Sequence, residues 1–330
     1  MIPLVSLGVA AIYGTIFGAL FKSIDIVAAK RALLKSFLQA LSPIALSAIK
    51  PFGFNWMMLQ ISLCETVFSC DDIAFLLILL ALWAVRVSPK LIIFTIVALF
   101  AALAPEYEKP PMPDIRIKLL QTHIPQNIKW DPRYKNEIVR KNIEAIKLAA
   151  EHGYEMVVLP ESAFPLYLNE REDLIDTLKE LSKKIVIVTG ALHYKEGAPY
   201  NSAYVFQNEN MIIADKTVLV PFGEKTPLPE PLKSYVNELF FGGAADYEAA
   251  RAPTRFSVNE IPFQIAICYE ATHPKIYENR PKYIIAISNN AWFTPSIEPT
   301  LQNILIKYFA RKNKSIVFHS TNIAKTGIIW

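Results

Sequence analysis

Charge is what the first third of this chain lacks. Residues 1–105 carry eleven Asp, Glu, Lys and Arg, and the remaining 225 residues carry fifty-three. So sharp a change marks two regions that face different solvents. Cysteine is equally scarce. With three in all, two of them (Cys64 and Cys70) in the apolar region, a disulfide framework is excluded, and Cys64 and Cys70 read as packing residues. Five scattered histidines offer no HExxH spacing and no CxxC accompanies them, so no metal site and no cofactor is expected. A net charge of +4 gives no reason to expect a nucleic-acid partner. The absence of repeats, of a Walker loop and of a GxSxG elbow excludes solenoids, P-loop chemistry and a serine-elbow hydrolase.

What is present, first, is long apolar sequence. Ile2–Phe21 contains no charge and is about long enough to cross a bilayer as a helix. No basic stretch precedes it and further apolar segments follow, which argues against a cleaved leader. Lys22, Lys30, Arg31 and Lys35 form a basic loop, then come apolar segments 36–49, 73–85 and 91–104, the last two separated by the basic stretch Arg86–Lys90. Trp56–Cys70 is interrupted by Gln60 and Glu65 and reads as interfacial. With both basic loops cytoplasmic, the positive-inside rule gives four spans, Met1 outside, and a chain that emerges outside after Ala104. Residues 105–113, with four prolines, read as an extended linker.

Beyond the linker the pattern changes. Strands are expected at 114–122, 155–160, 185–191, 283–288 and 315–320, and helices at 133–152, 169–184 and 300–313. A hairpin is expected from 201–207 and 211–216 around Asn208-Glu209-Asn210. A further strand ends in Ile265-Ala266-Ile267-Cys268. Strands alternating with helices predict an α/β layered domain over 114–330.

Three apolar strands end in polar residues of complementary chemistry: Glu161 after Met156–Pro160, Lys216 after Met211–Asp215, and Cys268 after Ile265–Ile267. A carboxylate in a poorly solvated pocket can take a thiol's proton. A fixed ammonium can stabilise the oxyanion of a tetrahedral adduct. Glu, Lys and Cys are thus a complete set for acyl transfer. Spacing alone leaves that reading level with an ordinary strand-end ion pair beside an inert cysteine.

The blocks Leu159-Pro160-Glu161-Ser162-Ala163, Lys216 with Leu219-Val220-Pro221-Phe222-Gly223-Glu224, Ile267-Cys268-Tyr269-Glu270, and Ser288-Asn289-Asn290-Ala291-Trp292-Phe293 resemble the ordered motifs of the nitrilase (carbon–nitrogen hydrolase) superfamily. The apolar segments, Pro51–Trp56 and Gln126-Asn127-Ile128-Lys129-Trp130 narrow the resemblance to its apolipoprotein N-acyltransferase branch. That resemblance implies transmembrane helices followed by a four-layer αββα sandwich on the periplasmic side of a bacterial inner membrane. It implies a fatty acyl chain passed from a phospholipid donor, through a thioester, to the N-terminal amine of a diacylated apolipoprotein. Glu161 would be the base, Lys216 the oxyanion stabiliser and Cys268 the nucleophile. Glu224, Tyr269 and Glu270 would support the site, and Trp130 would lie near the acyl path. Asn289 and Trp292 would shape the pocket, and His193 and His319 would be structural. Phe240–Ala245 permits a mobile apolar lid. A membrane-tethered amidase and an inactive membrane scaffold are the rival readings.

The chain departs from the family pattern in three places. Val218 replaces a histidine, Ser320–Gly327 matches a tighter Thr-Asn-x-Gly motif loosely, and the sequence stops at Trp330 short of a final span, which reads as a short or truncated form. The topology is directly testable. In intact spheroplasts, a membrane-impermeant thiol reagent should label Pro110→Cys above the parent protein. Labelling that needs the membrane broken would reverse the orientation.

Overall fold

A computed structural model of the protein describes residues 2–50, 57–104, 109–241 and 246–330. Pro51–Trp56, the first part of the linker and residues 242–245 of the expected lid lie outside the described residues. The chain forms two compact units, Met1–Glu108 and Lys109–Trp330.

The first unit is helical: α1 (Ile2–Val27), α2 (Ala32–Ala48), α3 (Asp72–Val87) and α4 (Ile92–Ala101). Asp71 caps α3 by accepting the Ala74 amide at 2.8 Å, which satisfies an otherwise orphaned donor. Ser88 and Pro89 start the turn into α4. The packing inverts that of a water-soluble bundle. Ala74, Ala81, Ala84, Ala98 and Ala102 are buried, while Ile26, Val27, Ile93, Val97 and Phe100 face outward. Small residues between helices and large apolar ones outside suit a lipid solvent. Among the described residues, one helical window, Ala10–Val27, is both long and apolar enough to cross a membrane. The other expected spans are shorter apolar helices.

Among its described residues, 57–70, the segment read as interfacial holds a tight helical turn, Leu59–Leu63, and no spanning helix. It also corrects the reading of its cysteines. Cys64 and Cys70 are joined as a disulfide, their Cα atoms 4.6 Å apart. Both are buried, as packing residues would be. The turn after Leu63 folds the six-residue separation back on itself, within the reach that the bond requires.

The second unit is built on two sheets. The first contains β1 (Ile117–Leu119), β2 (Met156–Val158), β3 (Phe164–Tyr167), β4 (Val186–Lys195), β5 (Ala198–Gln207) and β6 (Asn210–Asp215), ordered β1-β2-β4-β5-β6 with β3 also against β4. The second contains β7 (Arg255–Val258), β8 (Ile261–Ile267), β9 (Tyr283–Asn289), β10 (Ile316–Asn322) and β11 (Gly327–Ile329), ordered β11-β10-β9-β8-β7. Successive residues of β2 point to opposite faces. Met156 and Val158 join Phe263, Ile265, Ile285 and Phe318 between the sheets. Val157 packs outward against Ile146 of α6 (Pro132–Glu151) and Leu174 and Leu178 of α7 (Glu172–Leu181). The remaining helices are α5 (Gln126–Lys129), α8 (Leu232–Phe241), α9 (Pro274–Tyr277) and α10 (Glu298–Asn313). Tyr277 of α9 stacks on Phe309 of α10, which packs along β10 and β11. The layers are therefore α, β, β, α, the sandwich that the motif blocks imply.

Two features aim the strand ends. The hairpin turn is Asn208-Glu209, both at positive φ (49° and 63°), the two-residue geometry whose twist suits a hairpin. The expected three-residue turn is corrected by one position, and the shift pairs Gln207 with Asn210 and sets Asn201 against Lys216, whose amide donates to the Asn201 carbonyl at 2.9 Å. A one-residue slip would point Asn201 to the opposite face. The second feature is Gly190 in β4. A Cβ there would lie 2.5 Å from the Ser162 amide nitrogen and 2.6 Å from Glu161 Cα. The turn carrying Glu161 thus sits directly on a strand that cannot bear a side chain. Gly190→Ala should cost about 2–4 kcal/mol in denaturant unfolding, or keep stability by displacing Glu161 and losing activity. A variant that keeps both would remove this constraint.

Candidate active site

Cys268 leaves β8 in the left-handed region, φ 55°, at the start of a tight helical turn, Cys268–Thr272. A non-glycine residue holds that conformation only where its surroundings impose it. Here Glu270 does so. Its Oε2 accepts the Ile267 amide at 2.8 Å, and its Oε1 accepts the Thr217 hydroxyl at 2.6 Å, the Thr217 amide, and the Val218 amide at 3.0 Å. One buried carboxylate therefore ties the turn that presents Cys268 to the segment that follows Lys216. Burial raises its pKa, while the Thr217 hydrogen bond and the Lys216 charge oppose the rise. The Val218 departure is inexpensive for a simple reason: position 218 contributes its backbone N–H to this bracket.

Lys216 is 1% exposed, and its Nζ donates to Glu224 Oε1 at 2.7 Å. Burial disfavours the ammonium, but the charges of Glu224, Cys268 and Glu161 outweigh it and raise the pKa. The surroundings therefore favour the ammonium form of Lys216. Glu224 is held from its other side, its Oε2 accepting the Val220 amide at 2.9 Å.

Glu161 is buried, and both its carboxylate oxygens are occupied. Oε1 accepts Asn201 Nδ2 at 2.7 Å, and Oε2 accepts the Asn289 amide at 2.7 Å. Asn201 Nδ2 also donates to Glu224 Oε1 at 2.8 Å, so one side-chain amide joins the two carboxylates. Burial pushes the Cys268 thiol well above the ordinary cysteine range, Glu161 pushes it further, and the Lys216 ammonium pulls it back. A thiol held against ionisation by burial, and within the electrostatic reach of a carboxylate and a cation, suits general-base activation.

The structure thus brings Glu161, Lys216, Glu224, Glu270, Asn289 and Cys268 into one connected cluster. Tyr269, beside Cys268, is buried and its ring meets His273 edge-on. Trp130, half-buried at the end of α5, and Trp292, 56% exposed after β9, make none of these polar contacts. His193 pairs with Asp215 at 2.8 Å and His319 with Ser288 at 2.8 Å. Burial takes His319 down to about 4, in keeping with a structural role.

Four contributors have no counterpart in the sequence reading. Asn201 is one. Asn322 is another: its Nδ2 donates to Asn289 Oδ1 at 2.8 Å, and its Oδ1 accepts the Thr122 hydroxyl at 2.9 Å. Lys129 is buried and donates to the Glu161 carbonyl at 2.9 Å; burial brings it down to about 8 against the pull of Glu161. Tyr247, its amide on the Glu224 carbonyl at 2.9 Å, has its phenol raised by burial and by the charge of Glu224. The signal that could have found Asn201 is the hairpin register, since a two-residue turn sets it opposite Lys216.

Comparison with known proteins agrees with this architecture. Residues 1–105 match the family model described as the apolipoprotein N-acyltransferase integral membrane domain, and residues 120–330 match the carbon-nitrogen hydrolase model. The apolipoprotein N-acyltransferase of Wolinella succinogenes is 39% identical over 333 residues, covering 100% of this chain and 78% of the relative. That of Helicobacter pylori is 35% identical over 338 residues, covering 100% and 76%. Among solved structures, XC1258 from Xanthomonas campestris, a CN-hydrolase superfamily protein with an arsenic adduct in its active site, aligns with a TM-score of 0.48 at 17% identity over 66% of this chain and 80% of that one. With a membrane-domain match, a hydrolase-domain match and relatives that span it end to end, the chain belongs to the apolipoprotein N-acyltransferase family.

Proposed function

We propose that this protein moves a fatty acyl chain from a phospholipid onto Cys268 and then to the α-amine of a diacylglyceryl-cysteine at a lipoprotein's N-terminus. The observation that carries the reading is one hydrogen-bonded chain, Glu161–Asn201–Glu224–Lys216, whose carboxylate and ammonium both act on the charge of the buried Cys268 thiol. Glu161 takes the thiol proton as Sγ bonds to the ester carbonyl carbon. The Lys216 ammonium stabilises the tetrahedral oxyanion. The carbon–oxygen bond then breaks, and Glu161 returns the proton to the departing lysophospholipid oxygen. In the second half the amine attacks the thioester and gives a proton to Glu161. The carbon–sulfur bond breaks, and Cys268 takes that proton back.

In this reading residues 1–104 form a multi-pass membrane region, 105–113 a linker and 114–330 the catalytic domain on the periplasmic face of the inner membrane. A donor that never leaves the bilayer explains why a thiol acyltransferase is fused to an apolar helical unit. Trp130, Tyr269 and Trp292 would then contact acyl chain or acceptor.

The test is transfer of a labelled acyl chain from phospholipid to a diacylated lipopeptide with a free α-amine. Glu161→Gln and Lys216→Met should each lower turnover about a hundredfold or more. Lys216→Arg should also fail, since a planar guanidinium cannot put a point charge in the same place. Near-normal turnover by the arginine variant would make Lys216 a structural ion-pair partner. Label released only as free fatty acid would favour the amidase, and no turnover by folded protein the inactive scaffold.

A further inference from the structure

Behind Cys268 lies a polar chain that the reaction as written does not use. Glu298 and Gln302 stand four residues apart on α10 and so share one face of it. Asn290, in the turn after β9 and fully buried, aims its amide at both. Its Nδ2 donates to Glu298 Oε2 at 3.2 Å and to Gln302 Oε1 at 2.9 Å. Because Gln302 Oε1 is the acceptor for Asn290, its amide is turned with the N–H groups outward, and Nε2 lies 3.6 Å from Cys268 Sγ. Gln302 is itself 4% exposed, so no solvent competes for that donor.

We propose that Gln302 is a further catalytic residue of this site, a neutral hydrogen-bond donor to the sulfur of Cys268 held in orientation by Asn290. The inference rests on the reading of Cys268 as the nucleophile. The sulfur has two states in the cycle that differ greatly as acceptors. A thioester sulfur is a poor acceptor, whereas a thiolate is a strong one, and hydrogen bonds to ionised groups are the strong ones. The Gln302 donor therefore acts when the thiolate forms to attack, and again when it departs as the carbon–sulfur bond breaks. An amide suits the position because it neither takes the thiol's proton nor adds a charge to compete with Lys216. The charged groups that bear on this sulfur are Glu161, Lys216, Glu298 and Glu224. Of these Glu298, brought up to about 7 by burial and the charge of Glu161, itself changes state near neutrality.

The experiment follows alkylation of Cys268 by iodoacetamide in detergent-solubilised full-length protein between pH 6 and 10, quantified on the Cys268 peptide by mass spectrometry. Gln302→Met keeps the length of the side chain and removes the donor. Gln302→Asn keeps an amide that falls short of the sulfur. Each should slow alkylation about tenfold at every pH below the thiol's inflection, the scale expected for a hydrogen bond to a charged group. The Glu298 inflection should remain in both. Thermal unfolding identifies whichever variant is folded, and one folded variant suffices. Profiles that superimpose on wild type would overturn the proposal. A lowered profile in protein that takes no acyl group from phospholipid would uphold the donor and sink the acyltransferase reading.

Discussion

A buried ammonium is the constraint around which the catalytic domain is arranged. Lys216 is almost fully removed from water, and the desolvation of such an ion costs several kcal/mol unless a partner of opposite charge and good geometry accompanies it. Glu224 at 2.7 Å is that partner. Removing Glu224 would take away the cation's hydrogen-bonded counter-charge and leave only the Glu161 charge to offset its burial, a loss of up to about 3–5 kcal/mol. Glu224 must in turn be fixed, and Asn201 and the Val220 amide fix it. Since Asn201 also holds Glu161, the device that makes the cation tolerable also places the base. Electrostatic stability and catalytic geometry are properties of the same few hydrogen bonds.

The two sheets meet through the same logic. Glu161 lies in the turn after β2 of the first sheet and Asn289 ends β9 of the second, and the Asn289 backbone amide on Glu161 Oε2 crosses between them. Asn322 secures Asn289 from the neighbouring strand and binds the segment around Thr122. Glu270 performs the parallel task between the Cys268 turn and the segment after Lys216. The apolar core between the sheets supplies the driving force for folding, and these polar contacts set the register in which the sheets meet.

Much of this was legible in the sequence, and the reasons differ by element. Short apolar runs ending in a polar residue announced β2 and β8 with Glu161 and Cys268, because a strand buried on both faces is uniformly apolar until it leaves the sheet; β6, a half-exposed edge strand, was visible as the apolar run Met211–Ala214 ahead of Asp215 and Lys216. The four apolar helices were visible in the distribution of charge. Asn201, Asn322 and Gln302 were not, since each works on a distant partner: Asn201 on Glu161, 40 residues away, Gln302 on Cys268, 34 away, and Asn322 on Asn289 and Thr122, 33 and 200 away. An isolated polar residue carries no sign of such a partner. The Cys64–Cys70 bond was misread because spacing does not report that the intervening chain turns back. The hairpin was misplaced by one residue because two non-glycine residues, Asn208 and Glu209, adopt positive φ together, against their usual preference.

The account stands or falls on whether Cys268 carries the acyl group. Protein incubated with phospholipid and no acceptor should gain, by intact-mass measurement, the mass of one fatty acyl chain. Neutral hydroxylamine should remove it, and Cys268→Ala should not acquire it. A diacylated lipopeptide with a free α-amine should then discharge the adduct onto itself. Folded wild-type protein that turns over phospholipid with no hydroxylamine-sensitive adduct, or an adduct that survives Cys268→Ala, would contradict the account.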